Sequence, residues 1–327
     1  MVLSVFLAVF YLIVFWQIYL PKSLSQGPLV VYNVSRGSGV KTIAADLEKK
    51  GLIKSGLFFR LYVVALSSHS KLQAGSYHLS ETMSVAKIVK KLVLGEVVKN
   101  KITIIEGWTM EEIAQYLEEK KLFSKEDFLE TTKKDWAKDF YFLKDKPKDS
   151  GLEGYLFPDT YEVLAAEKPE ELLKDALGNF EKKVNNDLIE EIGRQKKSLF
   201  DIVIMASILE KEVKLAEDKK IVAGVLLKRF KNSMPLQVDA TVNYITGKND
   251  PKISLEDSKI DSPYNTYKYR GLPAGPISNP GMDSILAAIY PTKSDYWYYL
   301  SADGNGMTVF SKTLEEHNIA KSKYFIP

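Results

Sequence analysis

The first twenty residues, Met1 to Leu20, contain no Asp, Glu, Lys or Arg, and Ser4 and Gln17 are their only clearly polar side chains. As a helix rising 1.5 Å per residue, they would extend about 30 Å, the thickness of a bilayer core. A spanning backbone must satisfy its own hydrogen bonds in that medium, so such a stretch has little choice but helix. A cleaved signal peptide asks for a charged leader, a shorter apolar run and a small-x-small cleavage site. Here the run closes on Trp16-Gln17-Ile18-Tyr19-Leu20-Pro21, with aromatics suited to a membrane interface. The expectation is a retained transmembrane anchor over residues 1–20. Its orientation stays open, because no Lys or Arg precedes the run for the positive-inside rule to count.

The rest of the chain is charged and mixed. Among 327 residues, 45 Lys and Arg face 42 Asp and Glu, a formal charge of +3. That is too weak a field for phosphate-backbone binding, so no nucleic-acid partner is expected. The absence of cysteine excludes disulfides, thiolate nucleophiles and thiolate-bound clusters. His69, His78 and His317 lie far apart and in no HExxH spacing, so neither a metal nor a cofactor is expected. Chemistry is left to carboxylates, hydroxyls, amides and aromatics.

After a polar stretch, Lys22 to Gly27, comes a β-prone run, Leu29-Val30-Val31-Tyr32-Asn33-Val34, and a turn at Ser35-Arg36-Gly37-Ser38-Gly39. A helix follows with Val40, Ile43, Ala44 and Leu47 in period, ending at Gly51. A second helix starts near Ser55, a strand covers Gly75 to Leu79, and a third helix runs from Ser84 to Leu94 before Gly95. From Ile102 the same grammar returns. Ile43-Ala44, Leu47, Leu52 and Phe58 recur without a gap seventy positions later as Ile113-Ala114, Leu117, Leu122 and Phe128. Two copies of a strand–helix–helix unit are expected, against the alternative of two unrelated helix pairs sharing one period.

The segment Ser150 to Val163 is too rich in Gly, Pro and aromatics for a helix and reads as a structured loop. Pro169 suits the first turn of a helix striped with Leu173, Ala176, Leu177, Phe180 and Val184. Ser198-Leu199-Phe200-Asp201 has the form of a capping box opening a helix from Phe200 to Val213. Ile202, Met205, Ala206, Leu209 and Val213 share one face while Ile204 and Ile208 lie nearly opposite, so the helix is expected to be buried on both sides. Glu210 and Glu212 flank the main apolar face and point apart. A carboxyl emerging there into a partly dry cleft would hold its proton more tightly, as a general acid at neutral pH requires. The bland reading, that Glu210-Lys211-Glu212 is where the helix reaches water, stays open on composition alone. Downstream, Leu236-Gln237-Val238-Asp239-Ala240-Thr241 and Ser262-Pro263-Tyr264-Asn265-Thr266-Tyr267 lead into a Pro- and Gly-dense run from Arg270 to Gly281. Amides, hydroxyls and flat rings at that density suit a sugar, or equally a packed wall with no ligand.

Taken together, Gly154-Tyr155-Leu156-Phe157-Pro158-Asp159-Thr160-Tyr161, Ala206-Ser207-Ile208-Leu209-Glu210-Lys211-Glu212, Leu236 to Val242, Ser262 to Tyr267 and Gly271-Leu272-Pro273-Ala274-Gly275-Pro276-Ile277 closely resemble the YceG-like family of endolytic murein transglycosylases, MltG. The resemblance covers nearly the whole chain. One departure is visible: members commonly carry Gly-His-x-Phe where this chain has Gly306-Met307-Thr308-Val309-Phe310, so a histidine at the position of Thr308 cannot be essential here.

The resemblance implies an α+β chain: an anchor (1–20), a LysM-like β-α-α-β module (28–97), and a catalytic domain (98–327) whose residues 98–145 hold the second strand–helix–helix copy. It implies a single-pass bacterial plasma-membrane protein with its catalytic domain outside the cytoplasm. The substrate would be nascent peptidoglycan glycan, cut between N-acetylmuramic acid and N-acetylglucosamine to leave 1,6-anhydro ends, terminating strand elongation, with peptidoglycan synthases as candidate partners. The family's catalytic glutamate falls on Glu210. One carboxyl suffices for such a reaction because the substrate's own C6 hydroxyl closes the ring. Gln237, Asp239, Thr241, Tyr264, Asn265 and Glu212 are the expected sugar-positioning residues. Two rivals stand beside this: a hydrolase pairing Glu210 with Asp239 or Glu153, and a non-catalytic membrane-tethered glycan-binding scaffold.

Overall fold

The computed structural model describes the chain except residues 1, 26, 36, 148–149, 165–166, 249–252, 302–306 and 325–327, and the side chains of residues 2 and 3. It divides into two compact units, Met1–Ile102 with Glu162–Glu167, and Thr103–Tyr161 with Lys168–Pro327. Both mix helices with two-stranded sheets, so the α+β expectation is met.

The first unit opens with α1 (Val2–Tyr19). At 18 residues it reaches about 27 Å, and Pro21, which disfavours helix in the residue before it, ends the run. Among the described residues no helix is long and apolar enough to cross a membrane, so the twenty-residue span read from sequence is not found as such. Lys54 closes the C-terminal end of α1. Its ammonium donates to the carbonyls of Trp16 (2.8 Å) and Leu20 (3.1 Å) and lies 4.1 Å over the Trp16 ring, a cation where the helix dipole favours one.

Strand β1 (Val30–Val34), α2 (Val40–Lys49), α3 (Gly56–Ala65) and β2 (Gly75–Leu79) follow in β-α-α-β order, then α4 (Val85–Leu94) and β3 (Lys99–Thr103). β1 and β2 pair antiparallel with Val30 opposite Leu79 and Val34 opposite Gly75. Alternation turns Tyr32, Val34, Tyr77 and Leu79 inward, where they meet Ile43 and Leu47 of α2, Phe59 and Val63 of α3, and Ile88 and Leu92 of α4.

In the second unit, α5 (Met110–Glu119) and α6 (Lys125–Thr132) form a helix pair in the same order as α2 and α3; β4 (Thr160–Leu164) is the strand that pairs with β3. The gapless repeat is corrected here. Ile43, Ala44 and Leu47 are buried as Ile113, Ala114 and Leu117 are, seventy positions on, but the fully buried counterpart of Phe128 is Phe59, not Phe58. One residue has dropped out between the helices, and the N-caps Ser55 and Ser124 mark the shifted register.

The remaining elements are α7 (Pro169–Lys183), α8 (Asn186–Arg194), α9 (Leu199–Glu212), α10 (Ala216–Lys231), α11 (Asp239–Thr246), α12 (Met282–Ile289), β5 (Tyr298–Ser301), β6 (Thr308–Ser311) and α13 (Leu314–Tyr324). α9 is the pivot, packed against α10, α11 and α12. Residues Ile202 through Leu209 are all buried, as a helix apolar on two faces requires. Ser198 caps it by accepting from the Asp201 amide (3.0 Å), but the return half of the expected box is not formed. Asp is one methylene shorter than Glu; the full reciprocal pair forms instead between Thr109 and Glu112 at the start of α5.

Candidate active site

A helix buried to its last turn delivers its terminal residues at fixed positions. The carboxyl of Glu210, only 8% exposed, accepts from the Ser284 hydroxyl (2.7 Å) and the Gly281 amide (2.9 Å) on one oxygen and from the Lys219 ammonium (3.0 Å) on the other. Gly281 and Ser284 belong to the start of α12, where unpaired amides and the helix dipole favour an anion. Lys219 is itself buried on α10. Glu212, two residues on, points elsewhere: it accepts from Tyr299 (3.1 Å) and, at 3.5 Å, from the Ala240 amide. The divergence read from the 100° step is observed.

The Pro-rich wall docks on the same helix. Ser207 accepts from the Ile277 amide (3.0 Å), and the Ser278 hydroxyl donates to the Ser207 carbonyl (3.1 Å). Gly154, at φ +87°, lets the Gly154-Tyr155-Leu156 loop close on this wall, since a Cβ there would come within 2.6 Å of Val203 and 2.7 Å of Pro276. Asn279 then ties the turn before α5 to the wall. It accepts the Gly107 amide on its carbonyl (2.8 Å), donates its own amide to the Trp108 carbonyl (2.8 Å), and reaches Glu153 through its side chain (3.1 Å).

Glu153 is buried, and both its oxygens accept from the Met110 amide at the first turn of α5 (3.1 and 3.0 Å), with Tyr244 donating at 3.4 Å. Burial nevertheless wins and pushes its carboxyl up to about 7. Glu212 is also pushed up to about 7, by burial first and by the nearby Asp239 second. Both groups are therefore protonated in the fold where the unfolded chain has lost the proton. With folded values above unfolded ones near 4.5, their contribution to stability is present below that value and lost as pH rises toward 7. Glu212→Gln is expected to flatten this fall, read as a smaller difference in urea midpoint between pH 5 and pH 7.5. An unchanged pH slope would count against the assignment.

The other expected positioning residues separate into two groups. Gln237 is exposed and holds φ +53°, an uncommon left-handed value for a non-glycine residue. Asp239, at the start of α11, accepts from the Tyr267 hydroxyl. Tyr264 lines a cavity of about 840 Å³ and packs against Tyr244 with centroids 5.1 Å apart. Thr241 and Asn265 are instead internal. Thr241 donates to the Val238 carbonyl (2.8 Å) and meets Thr266 (3.0 Å), and Asn265 donates to the carbonyls of Ser258 (3.0 Å) and Ile260 (2.8 Å) while accepting the Tyr267 amide (3.0 Å). Their polar atoms are spent on holding loops, leaving little for a ligand. The cavity is further lined by Thr109, Glu153, Lys211, Asn243 and Tyr244, so Lys211 and not Glu210 is the α9 residue facing it.

Glu106, Lys219 and Ser284 escape sequence reasoning. Glu106 sits in the turn after β3, and its carboxyl lies over Gly281: a Cβ built on that glycine would fall 2.0 Å from one Glu106 oxygen. Partial desolvation of this surface residue, and then the charge of Glu210, holds the Glu106 carboxyl above the usual range. Neither rival partner does this. Asp239 neighbours Glu212, and Glu153 belongs to the Met110–Asn279–Tyr244 group. Thr308 lies in β6 opposite Ser301, while Gly306 falls outside the described residues. Among the described residues no group of three or more His, Asp or Glu is placed to hold a metal.

Known proteins match this chain along most of its length. The profile of the YceG-like family covers residues 32–323. An endolytic murein transglycosylase of Bacillus subtilis is 38% identical over 309 residues, covering 89% of this chain and 84% of its own. A Streptococcus pneumoniae protein of the same name is 34% identical over 326 residues, 91% of this chain, which spans only 59% of that longer relative. A crystal structure of a YceG-like protein from Listeria monocytogenes superposes with a TM-score of 0.60 at 35% identity, covering 90% of this chain and all of the other. With these motifs, this carboxyl cluster and matches of that extent, the chain belongs to the YceG-like family.

Proposed function

We propose that the chain is a membrane-anchored endolytic murein transglycosylase that cuts nascent glycan between N-acetylmuramic acid and N-acetylglucosamine, leaving 1,6-anhydro ends. The observation that carries the reading is the Glu210 carboxyl, fixed by Gly281, Ser284 and Lys219 at the end of a buried helix in a chain 38% identical to a transglycosylase. Glu210 gives a proton to the glycosidic oxygen as the bond to C1 breaks. Its carboxylate then takes the proton of the C6 hydroxyl as that oxygen bonds to C1. No water is consumed, and holding the internal nucleophile in line supplies much of the rate. Gln237, Asp239 and Tyr264 are assigned to hold the sugar, Tyr264 through the cavity that it lines. Digestion of purified glycan strands with mass analysis of the new ends tests the reading: anhydro ends support it, whereas ends heavier by one water favour hydrolysis, for which Glu106 and Glu210 are the adjacent carboxyls.

The cell-envelope setting is part of the same proposal. Side chains around α1 are apolar and exposed, among them Phe6 (74%), Phe10 and Tyr11, and such a surface is stable when lipid covers it. The α1 segment, extended by Leu20, serves as the plasma-membrane anchor, with the second unit outside the cytoplasm, the LysM-like β-α-α-β module contacting glycan, and peptidoglycan synthases within reach so that cleavage terminates strands. The full chain is expected to stay with membranes through alkaline carbonate extraction, and a chain lacking residues 2–20 to be released. Extraction of the full chain would remove the anchor from the proposal.

A further inference from the structure

Glu210 has a difficulty as a proton donor. Three donors, one of them a buried ammonium, surround its two oxygens. A proton must reach it from somewhere close, and the donors around it do not include a carboxyl. The exposed Glu106 fills that position. Its carboxyl and that of Glu210 converge on one residue, Gly281: Glu210 accepts the Gly281 amide at 2.9 Å, and Glu106 occupies the space a side chain on Gly281 would need. The turn that carries Glu106 is pinned there by the paired backbone bonds of Gly107 and Trp108 to Asn279. At Gly107, φ is +80° and a Cβ would lie 3.5 Å from the Glu210 Cγ and 3.8 Å from the Lys211 Cδ, so the turn rides directly on the end of α9. The charged groups facing Glu106 are Glu210 from α9, Lys219 from α10 and Asp283 from α12.

Resting on the transglycosylase reading above, we propose that Glu106 is the proton partner of Glu210, the two carboxyls sharing one proton over Gly281. The proton passes from the Glu106 carboxylic acid to the Glu210 carboxylate, leaving Glu106 charged and Glu210 neutral. Glu210 then gives it to the glycosidic oxygen, which keeps the electron pair of the breaking bond to C1. The C6 hydroxyl oxygen bonds to C1 and surrenders its proton to Glu210, which returns it to Glu106. Nothing is gained or lost over the cycle. Glu106 is a positioning and relay residue and not the group that meets the sugar; the upward displacement of its carboxyl by partial desolvation and by Glu210 accords with that role.

Two variants of the full chain test this, assayed beside wild type and Glu210→Gln by release of anhydro-ended product across pH. Glu106→Gln removes the shared proton's second site. Gly281→Ala retains both carboxyls but drives the Glu106 oxygens from their place. The backbone at Gly281 (φ −76°, ψ 172°) accepts alanine, and the clash is with the mobile end of one side chain. In both, kcat is expected to fall roughly tenfold or more with KM nearly unchanged. The shared proton is a property of the pair, so loss of Glu106 moves the basic limb of the pH–rate profile to lower pH in Glu106→Gln. Wild-type kcat and an unmoved limb in both variants would overturn the proposal, as would a rise in KM alone, which marks a sugar contact. If Glu210→Gln kept its activity, the transglycosylase assignment of Glu210 would fall and this inference with it; an inactive Glu210→Gln beside a wild-type-like Glu106→Gln sinks the inference alone.

Discussion

Glu210→Gln should cut release of anhydro-ended glycan by on the order of 10²–10⁴-fold, the range in which a positioned acid–base group contributes. Glutamine keeps the shape of the side chain and can still accept from Gly281 and Ser284, so the loss isolates the proton. The substitution has a second effect that the assay must separate. It leaves the Lys219 ammonium, 5% exposed in its side chain, without its counter-ion. Circular dichroism and a urea midpoint therefore accompany the rate, and Glu210→Gln/Lys219→Met, which carries neither charge, supplies a folded reference that should be equally inactive. Anhydro product from a well-folded Glu210→Gln at near wild-type rate would end the assignment. If Glu212→Gln were the dead variant instead, the roles of the two carboxyls would have to be exchanged.

What the sequence made legible follows from periodicity. The strong two-sided apolar pattern of Ile202 to Leu209 defined α9, and the 100° step alone separated Glu210 from Glu212. Alternation and caps located the β-α-α-β order of the first unit and its echo in α5 and α6. A one-residue slip inside that echo escaped because Phe58 and Phe59 are the same letter, and only burial distinguishes them. Side-chain purpose in loops was less legible. Asn265 and Thr241 have the chemistry of ligand contacts, but their partners are carbonyls and hydroxyls within about thirty positions, the local competition that Asn and Thr carry wherever a loop needs closing. Glu106 was invisible for the opposite reason. It stands 104 positions before Glu210 in a short turn with no period, and only the fold brings it over Gly281.

Lys219→Met is expected to destabilise the chain by about 3–5 kcal/mol, the usual cost of removing one partner from a buried ion pair. Lys219 is 4% exposed, and its ammonium sits 3.0 Å from Glu210. Methionine fills the space of the stem, so the loss is not a cavity but an orphaned carboxylate. That carboxylate retains Gly281 and Ser284 as donors, which places the cost below that of an isolated buried charge. Adding Glu210→Gln should then recover most of the lost stability, since two matched charges removed together cost far less than either alone. Urea midpoints of wild type, both single variants and the double variant at neutral pH form the cycle. If the double variant is destabilised by the sum of the singles, the pair is not coupled, and Lys219 does not act as the counter-ion of Glu210.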